Sequence, residues 1–156
     1  MKSNPRGDKP DAGTTLSEEA AWTRVLAHRR KDSPATVNAV IERFRAAGVT
    51  PLEVESHLED AGDRLYQAAA SGEEAWAVAF GGERAVALLA AEVSALMSHL
   101  VARAASVRSV CVDALLDEFS AVTVAGALGV ARQKVYELAR PNIDPEYLTT
   151  TPWRSR

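Results

Sequence analysis

From Glu83 to Phe119 the sequence runs without a single proline or glycine. Most of its residues are alanine, leucine, valine, serine or charged. Nothing in it interrupts a helix, and the predicted element is longer than the roughly 8–20 residues of an ordinary globular helix. Any fold for this chain must be built around or beside it. Val86, Val93, Leu100, Val107 and Ala114 recur every seven residues, and Leu89, Leu96 and Val110 fall three places after members of that series. Arg103 and Asp117 occupy equivalent places and spoil them. A seam with these faults fits a coiled coil between subunits. It fits equally the central helix of a bundle, buried on several sides.

The segments before it also read as helices. Thr15-Leu-Ser-Glu18 has the form of a capping box, which predicts a helix to about Lys31 with Trp22, Val25 and Leu26 inward. Ser33-Pro34 supplies an N-cap and a proline at the first helical position. Val37, Val40, Ile41 and Phe44 follow at helical spacing up to Gly48. Thr50-Pro51-Leu52-Glu53 repeats the signal and opens a predicted helix over 51–70, with Val54, Leu58, Ala61 and Leu65 inward and Glu55, Glu59 and Asp63 on its flank. A short helix precedes Gly81-Gly82. No strand pattern appears.

The formal net charge of −3 argues against indiscriminate nucleic-acid binding. The acid is concentrated in the middle. Residues 48–92 carry two Lys/Arg against nine Asp/Glu, whereas 1–47 carry nine against six and 120–156 five against three. The lone Cys111 excludes an internal disulfide and points to a reducing, cytoplasmic setting. The N-terminus lacks the apolar region of a signal peptide. The most apolar run, from Ala85, meets Glu92, His99 and Arg103, so no membrane segment is expected.

The segment Ser120–Arg140 reads Ser-Ala-Val-Thr-Val-Ala-Gly-Ala-Leu-Gly-Val-Ala-Arg-Gln-Lys-Val-Tyr-Glu-Leu-Ala-Arg. Ser120 can cap a two-turn helix, and Gly129 follows it where the chain must turn with positive φ. Ala125 is small where a second helix would cross. Val124, Leu128, Val130, Val135 and Leu138 would form a shared core. Here the chain resembles the helix-turn-helix superfamily of bacterial DNA-binding proteins, over about twenty residues and with no narrower family indicated. The resemblance implies that helix 132–139 lies in the major groove. Arg132, Gln133, Tyr136 and Glu137 would then face base edges, Arg132 toward guanine and Gln133 toward adenine. Lys134 and Arg140 suit phosphates. The end of the long helix, around Val112–Phe119, would be the supporting third helix.

Other candidates have plainer readings. His28-Arg29-Arg30-Lys31 would complement a helix dipole, or serve as an auxiliary phosphate patch. Trp153, Arg154 and Arg156 could touch DNA from a frayed tail. His28, His57 and His99 have no metal-ligand spacing, so neither a metal nor another cofactor is expected. His99 and Arg103, one turn apart, would need partners such as Glu92 or Asp113. Glu53, Glu55, Glu59, Asp60 and Asp63 make the helix over 51–70 acidic, either a solvated face or a docking surface for a protein partner. No catalytic pattern appears, and no enzyme is expected.

The expectation is an all-α protein: a disordered tail over 1–13, a helical bundle for dimerisation or sensing over 14–111, a helix-turn-helix region over 112–140 and a tail over 141–156. The long helix leads into the C-terminal helix-turn-helix. The expected function is sequence-specific binding of double-stranded DNA by a homodimer, as a transcriptional regulator on the nucleoid. A partition or architectural factor, or a helical protein-interaction module without DNA binding, are the alternatives.

Overall fold

The computed structural model describes residues 12–141 and 143. The expected tails, with Trp153, Arg154 and Arg156, lie almost wholly outside the described residues. Those described form seven α-helices, two 3-10 turns and no strand. The helices are α1 (Ala12–Val25), α2 (Pro34–Ala46), α3 (Pro51–Glu59), α4 (Asp63–Ala70), α5 (Glu83–Glu118), α6 (Ala121–Leu128) and α7 (Arg132–Leu138).

Local signals set most boundaries. The Thr36 N–H donates to Ser33 Oγ, with Pro34 at the first position of α2. At α3 the capping box closes: the Glu53 N–H donates to Thr50 Oγ1, and the Thr50 N–H donates to the Glu53 carboxylate at 2.7 Å. Two boundaries differ from expectation. α1 begins at Ala12, ahead of Thr15 and through Gly13. It ends at Val25, well before Lys31, and a 3-10 turn over Ala27–Arg29 follows. Glu18 accepts the Trp22 indole N–H at 3.2 Å and the Arg45 guanidinium at 3.1 Å.

The helix expected over 51–70 is two helices. The Gly62 N–H donates to the Asp60 carboxylate and to the His57 carbonyl. Ala61 and Gly62 both take positive φ, 54° and 80°. A side chain that captures the amide two residues on competes with the helical ladder, and glycine makes the turn inexpensive. Ala61 is consequently exposed, outside the apolar stripe that Val54, Leu58 and Leu65 do form. The short element before Gly81 is a 3-10 turn, Trp76–Phe80.

There are two separate apolar clusters. The first joins Trp22, Val25, Leu26, Val40, Phe44, Val54, Leu58 and Leu65 to Ala85, Leu89 and Leu96 of α5. Trp22 stacks on Phe44 at 5.6 Å between ring centroids. The second joins Val112 of α5 to Val124, Ala125 and Val135, with Leu115, Leu116, Val130, Leu138 and Ala139 at its edge. α5 is thus the shared spine, the first half inside one cluster and the last two turns inside the other. Leu89 and Leu96, expected along a seam between subunits, face their own chain's core. Val107, Val110 and Ala114 remain exposed. By length and composition α5 is apolar enough to cross a membrane, a property that core helices of soluble proteins share.

The polar anchor of the first cluster is Glu92. Arg29 donates to its carboxylate twice, at 2.7 and 3.0 Å, and His28 Nε2 lies 2.6 Å away. Burial alone would raise this carboxyl. The hydrogen bonds from His28 and Arg29, with the guanidinium charge, outweigh burial and hold it below its ordinary value. Glu92 therefore takes its partners from the turn after α1, and the expected pairing of Glu92 with His99 and Arg103 gives way to this one. His28 and Arg29 are likewise committed inward, which leaves them unavailable for a phosphate patch.

Candidate nucleic-acid interface

The pair α6–α7 is held by a few short-range features. The Thr123 N–H donates to Ser120 Oγ and caps α6. Gly129, at φ 66°, closes α6 in the left-handed conformation that glycine adopts without strain. Three residues later α7 begins. Val135 is 0% exposed and packs with Val112, Val124 and Ala125. Val130 and Leu138 are half-buried at the edge of that cluster. Leu128 departs from its expected core role: it is 41% exposed. It closes α6 one turn beyond Val124, and the seven-residue α7 is too short to cover it.

With Val135 turned inward, the other side of α7 faces outward. Arg132, Gln133, Lys134 and Glu137 are exposed, and Tyr136 is 51% exposed. Lys134 Nζ lies 3.0 Å from the Glu137 carboxylate. The expected phosphate contact and the expected base contact are thus paired with each other. Both are half-exposed, and such a surface pair is worth only about 0–1 kcal/mol, so an anion can displace it.

Arg140 is exposed and lines a shallow cleft of about 230 Å³ between α5 and the end of α7. Arg108, Ser106 and Ser109 line the same cleft. Ser109 Oγ is buried and lacks a hydrogen-bond partner among the described residues. Arg108 was not apparent as a partner of this surface from sequence. It lies 24 positions before Arg132, and only the return of α7 along α5 brings it there. The α5 carboxylates Asp113, Asp117 and Glu118 are also exposed, so the pair α6–α7 sits on a spine of mixed charge.

The acidic helix expected over 51–70 loses much of its free charge. Glu53 is held in its capping box. Glu55, expected on the flank, is buried with Arg24 2.8 Å away, and Asp60 pairs with Arg64. Within this segment Glu59 and Asp63 are exposed and make neither an ion pair nor a cap among the described residues. No group of three or more His, Cys, Asp or Glu able to hold a metal occurs among the described residues.

Comparison of the chain with protein-family models, with curated proteins and with solved structures finds no match.

Proposed function

We propose that this chain is a sequence-specific DNA-binding protein of the transcriptional-regulator type, acting as a homodimer on double-stranded DNA, with α6–α7 as a helix-turn-helix. One observation carries the reading. α7 is divided into a wholly buried anchor, Val135, and an uncovered face bearing Arg132, Gln133 and Tyr136. These side chains combine a bidentate donor fork, an amide that donates and accepts, and a flat ring with a hydroxyl. That is the chemistry that discriminates base edges in the major groove. Arg140 and Arg108 flank this face as candidates for backbone phosphates. Glu137 either accepts from cytosine or excludes other bases by repulsion. The reading assigns no catalysis and no cofactor.

The test is selection of bound fragments from a random duplex pool, followed by binding measurements on the selected and a scrambled sequence at several salt concentrations. Arg132→Ala and Gln133→Ala are expected to lose about 1–3 kcal/mol on the selected sequence and little on the scrambled one. Lys134→Ala and Arg140→Ala are expected to weaken both alike and to reduce the salt slope by about one unit each. A pool that stays unenriched, or four variants that bind as the parent does, would sink the reading.

A further inference from the structure

Beyond Leu100, which packs at the edge of the first cluster, α5 carries an apolar face that no other described residue covers. Leu100, Ala104, Val107, Cys111, Ala114 and Glu118 alternate at spacings of four and three, a coiled-coil seam by position. Val107 is 60% exposed, Val101 beside it 68%, and Ala104, Cys111 and Ala114 are also exposed. On the seam's edges lie Arg103 and Asp117. Arg103 is half-buried and Asp117 exposed, and neither is in a salt bridge with another described residue.

We propose that this face binds a second copy of the same chain, with the two α5 helices antiparallel and crossing near residue 109. The charges choose the direction. Positions flanking a seam meet across the interface and set orientation. In a parallel pair, Arg103 meets no carboxylate and Asp117 meets no cation. In the antiparallel pair, the layers are Ala104 on Ala114 and Val107 on Cys111, each occurring twice. Arg103 of each copy then meets Asp117 of the other, and Val110 meets Val110. Leu100 and Glu118 close the two ends, where the carboxylate reaches water. On the other flank Arg108 of one copy comes nearest Arg108 of the other. Its place in the cleft against α7 takes that charge off the seam in either direction of pairing, so the choice rests on Arg103 and Asp117. The small residues in the middle layers allow a close approach of the helices. The two Cys111 side chains come to lie about 6 Å apart along the axis, from a rise of about 1.5 Å per residue.

This inference rests on the dimer in the reading above but not on DNA, so mass measured without DNA separates the two. Full-length protein is examined by analytical ultracentrifugation over a dilution series. Arg103→Asp and Asp117→Arg are each expected to weaken dimerisation by about tenfold or more, and the double exchange to restore it to within about threefold of the parent. Val107→Asp should give monomers with unchanged helix content by circular dichroism, since the side chain is exposed in the single chain. A short bis-maleimide should join the parent through Cys111 and fail on Val107→Asp. A parent that stays monomeric at high micromolar concentration would overturn the proposal. So would a dimer that the single exchanges leave intact, or one that the double exchange does not rescue.

Discussion

The two halves of α5 have much the same composition and opposite surroundings. Up to Leu100, the side chains Ala85, Leu89 and Leu96 are enclosed by α1, α2, α3 and their turns, and the one interior carboxylate is fully bonded. From Val101 to Cys111, Val101, Ala104, Ala105, Val107 and Val110, of similar apolarity, are exposed. A helix-period stripe states that a face will be covered. It does not state by what. In this chain the bundle reading fits the first half, and the second half leaves an apolar face that no other described residue covers.

Aspartate placed in each half breaks that comparison most sharply. Leu96 is 0% exposed, so Leu96→Asp buries an unpartnered carboxyl and removes a leucine from the core. The expected cost is upwards of about 5 kcal/mol, a large fraction of the stability of a domain this size. Val107→Asp should shift the chemical-denaturation midpoint of the monomer by less than the equivalent of about 0.5 kcal/mol. Equal losses at the two sites would mean that the second half is covered by its own chain.

A smaller contrast lies in the ion pairs. Glu92→Ala leaves His28 and Arg29 facing a cavity in place of a carboxylate, and breaking a buried pair in this way costs about 3–5 kcal/mol. Arg29 keeps its bond to Asp32 and some access to water, which favours the lower end. Arg103→Ala in the open half should be neutral for the folded monomer to within about 0.5 kcal/mol, in urea titrations at low protein concentration. A Glu92→Ala protein as stable as its parent would show that the bonds to Glu92 contribute no net stability.

The features legible in sequence were those whose cause is local. Ser33, Thr50 and Ser120 cap because a hydroxyl three residues before a free amide can reach it, whatever the tertiary context. Gly129 turns because its own φ is unrestricted. The break at Asp60–Gly62 also has a local cause, yet the apolar spacing of Val54, Leu58 and Leu65 runs through it and masks it. Glu55 and Glu92 were misread for another reason. Their partners, Arg24 and His28, lie 31 and 64 positions away, and no spacing rule links them. Leu128 is in phase with Val124, but phase does not report how short the covering helix is. At the candidate interface, Val135 and the outward Arg132, Gln133 and Tyr136 follow from helical geometry alone. Arg108 joins them only through the fold.

The smallest expected effect separates the regions by pH. His57, on α3, is buried with its ring 5.6 Å from that of Phe80. Burial pushes its pKa below the ordinary value and the Arg64 charge adds to this, against the opposing pull of Asp60 and Glu53. His99 in the first half of α5 is lowered in the same way, by burial and then by the charges of His28, Arg103 and Lys31. A histidine with a depressed folded pKa is neutral in both states well above about 6.5. As pH falls through that value the unfolded chain takes up the proton first, so stability is lost progressively toward the lower folded pKa. The first cluster should therefore weaken between pH 7 and pH 5, and His57→Leu should reduce that slope without abolishing it, because His99 remains. No histidine occurs in 100–156, so amide protection factors in α6 and α7 for local opening should stay level over the same range. A slope that His57→Leu leaves unchanged would remove His57 from the account. Protection in α6 and α7 that falls in step with α3 would mean that the two clusters open as one unit.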